Sequence, residues 1–180
     1  MSNAMLARAL GIFTTRLRTL DGLLGKAEAQ WREQGRDPEA LLGARLAEDM
    51  LPLPHQIIFT CNQANWFAAW SRSERWQQPD PTGFDFAGLR RHIAETIERV
   101  AAVGHVADDN LLDRDKRVDL LDGMYLELDG QDYLDEWLLP NFYFHLVTAY
   151  DLLRMEGVTI GKPDYMTHIA DRVRGRPEAA

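Results

Sequence analysis

The strongest constraint in this 180-residue chain is one apolar seam near its N-terminal end. Leu6, Leu10, Phe13, Leu17, Leu20, Leu24, Ala27 and Trp31 follow one another at spacings of 4-3-4-3-4-3-4. An α-helix turns once every ~3.6 residues, so alternating steps of three and four return to the same face, and a strand's period of two does not fit them. Arg8, Arg16, Arg18, Lys26 and Glu28 fall off the seam, where the solvated side of an amphipathic helix belongs. Gly35 is placed to stop the helix with a left-handed turn. A seam this long also suits a coiled coil, but further helical segments downstream supply partners within the chain, and a bundle is the simpler reading.

The second helix is expected from about Leu53-Pro54, where proline suits a first turn, to about Trp70. Met50 to Ser71 carries no formal charge when His55 is neutral, which raises the question of a membrane span. Pro52, Pro54, Gln56, Asn62, Gln63 and Asn65 answer it, because each would leave polar groups unpaired in hydrocarbon that demands roughly 20 predominantly apolar residues. The segment reads as a buried helix. After the Pro79-Asp80-Pro81-Thr82-Gly83 loop, Asp85 is the expected cap of a third helix, with Phe84 stapled onto Leu89. Ile93, Ile97, Val100 and Val103 continue its inward face, and Gly104 is expected to end it.

Between Asp108 and Asp115 the chain is acidic and polar, which reads as a solvated loop, since no calcium-loop spacing is present. Asp122-Gly123, the dipeptide of tight hairpin turns, lies between Val118-Asp119-Leu120 and Tyr125-Leu126-Glu127-Leu128 and predicts a small β-hairpin. Asp129 is the expected cap of the last helical region. Pro140 lies within that region and should kink or restart it, and Gly157 should end it.

Composition narrows the partners. With 46% hydrophobic residues the chain is sized for one core and one domain. Met1-Ser2-Asn3-Ala4 ahead of Met5 reads as an expression scar, residues 5–166 as the bundle and 167–180 as a C-terminal tail. Lys and Arg total 20 against 28 Asp and Glu, a net charge of −8, so a phosphate backbone would be repelled and nucleic acid is not expected as a partner. A single cysteine, Cys61, cannot form an intramolecular disulfide, and a cytoplasmic location is expected. Nothing charged near Cys61 would stabilise a thiolate, so its structural role is preferred over a nucleophilic one.

From Trp137 to Tyr150 fourteen consecutive residues carry no formal charge in a chain that is 27% charged. Within them Asn141, His145 and Thr148 recur at i, i+4 and i+7, one polar stripe among Phe142, Phe144, Leu146 and Val147. A buried polar stripe must be paired. His55, Asn62 and Gln63 on the second helix are uncharged polar groups that antiparallel packing would bring opposite. A histidine in such a place is more often a hydrogen-bonded core residue than a ligand, yet facing bundle helices are also where metal sites are built. Asp151 or Glu136 could complete a ligand set, but neither lies one or two turns from His145 on its face.

The run Leu139-Pro140-Asn141-Phe142-Tyr143-Phe144-His145, then Thr148-Ala149-Tyr150, Gly157-Val158 and Gly161-Lys162, resembles a bacterial family of unknown function in the DinB/YfiT-like superfamily. Ala44-Arg45-Leu46-Ala47-Glu48-Asp49-Met50 and Gly130-Gln131-Asp132-Tyr133-Leu134 share in the resemblance, which covers nearly the whole chain. It implies an all-α, up-down-down-up four-helix bundle, often dimeric, with relatives described as metal-dependent hydrolases and thiol-dependent transferases. Many members hold a metal with three histidines, one on the second helix and two, four residues apart, on the last. His55 would match the first and His145 the last, with Asn141 where the remaining histidine would stand. Asparagine offers an oxygen in place of the imidazole that zinc or nickel favours.

Two functions are then open. One is an enzyme, a divalent-metal-dependent hydrolase or transferase with His55 and His145 as ligands, Asn141 as ligand or orienter and water at an open position. The other is a metal-free small-molecule binder or structural homodimer, with Asn62, Trp66, Tyr143, Phe144 and Thr148 lining a pocket and Asn141 and His145 fixing a polar group. The missing third histidine favours the second. The uncharged last helix, with Trp137 and Trp70, predicts a surface that a second subunit covers.

Overall fold

The 4-3 seam is one face of α1, Ser2–Glu33, in a computed structural model that describes residues 2–103 and 111–175. Seven of its eight positions are buried, and Leu10 is partly so. The helix ends as its sequence demands. Gly35 takes φ 69°, and the Arg36 N–H reaches back to the Trp31 carbonyl at 2.8 Å, the six-residue closure that glycine permits at least cost.

Three further helices complete the bundle: α2, Leu53–Ser71, α3, Phe86–Val103, and the last long helix. The expectation for α2 holds, since 15 of its residues are buried. A helix hidden on nearly every side needs little charge. Asp85 caps α3, its Oδ1 accepting the Gly88 N–H at 2.6 Å, and the Glu39 carboxylate accepts the Phe86 N–H as well. Phe84 packs edge-on to His92 at 5.4 Å and lies against Gly88. The expected stop at Gly104 and the first part of the acidic stretch, Asp108 to Asn110, lie outside the described residues.

The hairpin pairs β1, Lys116–Asp119, antiparallel with β2, Tyr125–Leu128, Asp119 opposite Tyr125. Asp122 and Gly123 have φ 57° and 75°, and the Met124 N–H donates to the Leu121 carbonyl at 3.1 Å, the primed turn whose twist matches that of its strands. Asp129 then caps the next helix, accepting the Asp132 N–H at 2.8 Å. One α-helical turn, α4, Gly130–Asp132, runs through a π-helical segment, Tyr133–Leu138, into α5, Leu139–Met155. Pro140 explains the widening. It has no N–H for the carbonyl four residues back and its ring would press on that carbonyl, whereas the Leu139 N–H bonds Leu134, five residues back. Proline thus neither breaks nor restarts the helix, because the π turns accommodate it.

Side-chain pairs fix the topology. Gln56 meets His145 and Trp70 meets Tyr133, so α2 and α5 run antiparallel. Asn65 meets Thr96, and His55 at the start of α2 lies within reach of the Asp80 charge just ahead of α3, so α2 and α3 run parallel. Arg90, near the start of α3, bonds Asp21 and Glu28 in the second half of α1, which makes that pair antiparallel. The order is up-down-down-up. At the centre Phe13 stands edge-on to Phe142 at 5.1 Å and tilted on Phe67 at 5.4 Å, tying α1, α2 and α5 together. Removing a ring so placed typically costs about 3–5 kcal/mol. A short α6, Lys162–Tyr165, folds back on α1 through the Lys26–Asp164 ion pair. Among the described residues no helix is long and apolar enough to cross a membrane.

Candidate functional site

The polar stripe of α5 is paired, but mostly within its own helix. Asn141 Nδ2 donates to the Trp137 carbonyl at 2.7 Å, and Thr148 Oγ1 donates to the Phe144 carbonyl at 2.7 Å. Only His145 bonds across the bundle, its Nδ1 lying 2.8 Å from Gln56 Oε1. The orientation of that amide is set from its other end, where Nε2 donates to the Leu51 carbonyl at 2.9 Å. An amide oxygen can only accept, so His145 carries its proton on Nδ1 and leaves Nε2 with a free lone pair. Burial pushes its pKa down to about 4, and the ring is neutral at pH 7.

His55 sits one residue before Gln56, at the start of α2. Phe59 stands edge-on to both imidazoles, with centroids 5.8 Å from His55 and 5.1 Å from His145. His55 Nδ1 is buried and has no hydrogen-bond partner among the described residues. Burial, helped by the Arg45 cation, holds its pKa below the usual histidine value. The structure therefore gathers His55, Gln56, Phe59 and His145 at one end of the α2–α5 seam. Asn141 follows one turn away along α5, its amide nitrogen already committed to Trp137.

The residues expected to line a pocket are spread over several places. Asn62 is fully buried and accepts the Trp76 indole N–H at 2.9 Å, on the side of α2 that faces α3. Trp66 borders a hollow with Trp137, Tyr133 and the strand residues Lys116 to Asp119. Tyr143 is half-buried against Phe142. Thr148 is buried, whereas Phe144 is 58% exposed and meets His145 edge-on. The uncharged stretch is thus not enclosed on all sides: Phe144, and Val147 at 40% exposure, leave one face of α5 open. Cys61 is fully buried, and burial raises its thiol pKa to about 12, so it is a packed, protonated thiol.

Gln56 is the partner that sequence reasoning did not single out. Its signal was available, as the one long amide in the first turn of an otherwise apolar helix start, but its pairing with a residue 89 positions away is a tertiary fact. Among the described residues no three His, Cys, Asp or Glu side chains group as a set that could hold a metal ion. Two imidazoles and one carboxamide fall short of the donor set that a closed zinc site takes.

A crystal structure of a DinB family member protein from Shewanella denitrificans shares this fold, with a TM-score of 0.76 and 27% identity over 99% of this chain and 97% of that one. Comparison with the curated proteins finds no match. The sequence matches the family described as "Domain of unknown function (DUF1993)" over residues 5–166. With that match across most of its length and the four-helix architecture built above, the chain belongs to the DUF1993 family, within the DinB-like superfamily.

Proposed function

We propose that the chain is a small-molecule binder in which His145 Nε2 accepts an N–H or O–H from a ligand seated at the open side of the α2–α5 seam. One observation carries this reading: the Gln56–His145 hydrogen bond, which fixes the tautomer and leaves a neutral, preoriented acceptor. Asn141, whose nitrogen is held by Trp137, turns its carboxamide oxygen into a second acceptor one turn away. Phe59 and Phe144 supply apolar contact beside the ring. The exposed Phe144–Val147 face of α5 supports a two-fold homodimer that covers it.

A divalent-metal-dependent hydrolase or thiol-dependent transferase using His55 and His145 is the second reading. It keeps one observation, because a ring N–H donated to a carbonyl oxygen is also what orients a metal-bound imidazole. Zinc and nickel analysis of untagged protein purified without chelator separates the two. The binder reading expects metal well below one equivalent, and saturable thermal upshifts with small phenols that His145→Ala abolishes and Cys61→Ser keeps. One equivalent of metal, lost in both His55→Ala and His145→Ala, would replace it with the second reading.

A further inference from the structure

The hairpin turns one charged residue toward the bundle. Side chains alternate along a strand, and here Lys116, Val118, Leu126 and Leu128 are half-buried while Arg117, Asp119, Tyr125 and Glu127 are exposed. Val118 and Leu128 pack on the core. Lys116 shares their face of the hairpin, and its ammonium lies 5.6 Å from the Tyr133 ring centre. It makes no ion pair among the described residues, whereas Arg117 is paired with Asp119 at 2.7 Å and covers the Tyr125 ring from 3.9 Å.

Beside that ammonium is the hollow of about 260 Å³ that Trp66, Tyr133 and Trp137 border with the strand. Tyr133 is its floor, already packed edge-on by Trp70 at 5.2 Å. The two indoles differ from it: both are half-buried walls, and among the described residues neither stacks on another aromatic ring or lies under a cation. Their surface is therefore reachable from solvent and free for a planar apolar group. Trp66 lies about 15 Å along α2 from Gln56 on the helical rise, so this hollow and the His145 ring occupy opposite ends of the α2–α5 seam.

Charge selects the occupant. Arg117 and Asp119 cancel within the hollow's rim and leave Lys116 over, so a cationic ligand is repelled. An uncharged ring laid on the indoles strips water from the ammonium and returns nothing for it. A carboxylate carried by the same ring offsets that loss, because the attraction between the two charges grows as water is displaced from around them.

We propose that this hollow binds a small aromatic carboxylate, its ring lying on Trp66 and Trp137 and its carboxylate paired with the Lys116 ammonium. Pockets for drug-sized ligands begin at about 300 Å³, so the ligand is of the size of one or two fused rings. The site shares no ligand-contacting side chain with the His145 site and stands or falls apart from it.

The test titrates the full chain at pH 7 with 2-naphthoate and follows the indole N–H resonances of Trp66 and Trp137, assigned through Trp66→Phe and Trp137→Phe. Saturable shifts of both are expected, with 2-naphthamide and 2-naphthylmethylammonium each at least about tenfold weaker, a difference of about 1.4 kcal/mol. Lys116→Gln should weaken 2-naphthoate about tenfold and leave 2-naphthamide unchanged, a pattern that loss of fold does not produce. Absence of a saturable shift up to the solubility limit, or equal binding of the amide or the ammonium by the parent, overturns the proposal. So does a folded Lys116→Gln that binds 2-naphthoate undiminished or loses acid and amide alike. The comparison of the three ligands on the parent decides the matter even where the variant does not fold.

Discussion

Acidification should unfold this protein in part through His145, and the contribution can be isolated. The ring is neutral in the folded state with a pKa of about 4, against 6.5 when free of the fold. Between those values the unfolded chain binds a proton that the native state does not, so stability rises with pH there and is lost as pH falls from about 6.5 towards 4. One pKa unit corresponds to about 1.4 kcal/mol, which puts the ceiling near 3 kcal/mol. Since the ring is only part-buried, water screening brings the expected loss nearer to about 1–2 kcal/mol. His55, His92 and His168 also have lowered values and act with the same sign, so the parent's slope alone is not diagnostic. His145→Asn removes the titration while placing an amide N–H where Nδ1–H donates to Gln56. Urea midpoints of parent and variant, measured at steps from pH 7 to pH 4, should converge as the pH falls, the variant losing about 1–2 kcal/mol less. Parallel pH profiles would refute the reasoning, because they would mean that the ring takes up its proton as readily folded as unfolded.

Other perturbations follow from single contacts. A Cβ at Gly130 would lie 2.7 Å from Trp70 Cη2 and 2.8 and 2.9 Å from the Leu112 and Leu111 carbonyl oxygens; Gly130→Ala should therefore cost about 1–3 kcal/mol in urea unfolding, and an unchanged midpoint would show that the backbone yields freely. Cys61, buried with its thiol pKa at about 12, should resist thiol reagents in native buffer and react at once in denaturant; rapid native labelling would contradict its burial. Light scattering at micromolar concentration should report a dimer that Phe144→Lys dissociates, and a monomeric parent would remove the two-fold assembly from the proposal.

Much of the fold was legible because local chemistry dictated it. The seam of α1, the Asp85 and Asp129 caps, the Asp122-Gly123 turn and the Gly35 and Gly157 stops each depend on residues a few positions apart, and backbone sterics translate them directly into shape. The site was legible in part. The uncharged Trp137–Tyr150 stretch pointed to His145 and Asn141, but helical spacing could not tell that Asn141 and Thr148 would bond their own helix while His145 reached Gln56. The buried Asn65–Thr96 bond between α2 and α3 escaped entirely. His92 and Thr96 sit among Arg90, Arg91, Glu95 and Glu98, on a helix whose charges advertise a solvated face, and only its parallel packing on α2 turns those two inward.

The π turns before Pro140 have a consequence for anyone counting along this helix. Each closure over five residues takes one residue more than an α turn, so the angular phase of the side chains slips between Tyr133 and Leu138. A helical wheel drawn without interruption from Gly130 to Met155 therefore mixes two frames. Downstream of the slip, Asn141, His145 and Thr148 keep their common azimuth and can be read as one stripe. Upstream, Asp135 and Glu136 belong to another frame and cannot be assigned to the His145 face by counting back in threes and fours. Deleting one residue within Tyr133–Leu138 would restore a single phase at the expense of rotating Tyr133 away from Trp70, its present neighbour on α2, so the irregular turn is what lets one continuous rod present different faces to α2 at its two ends.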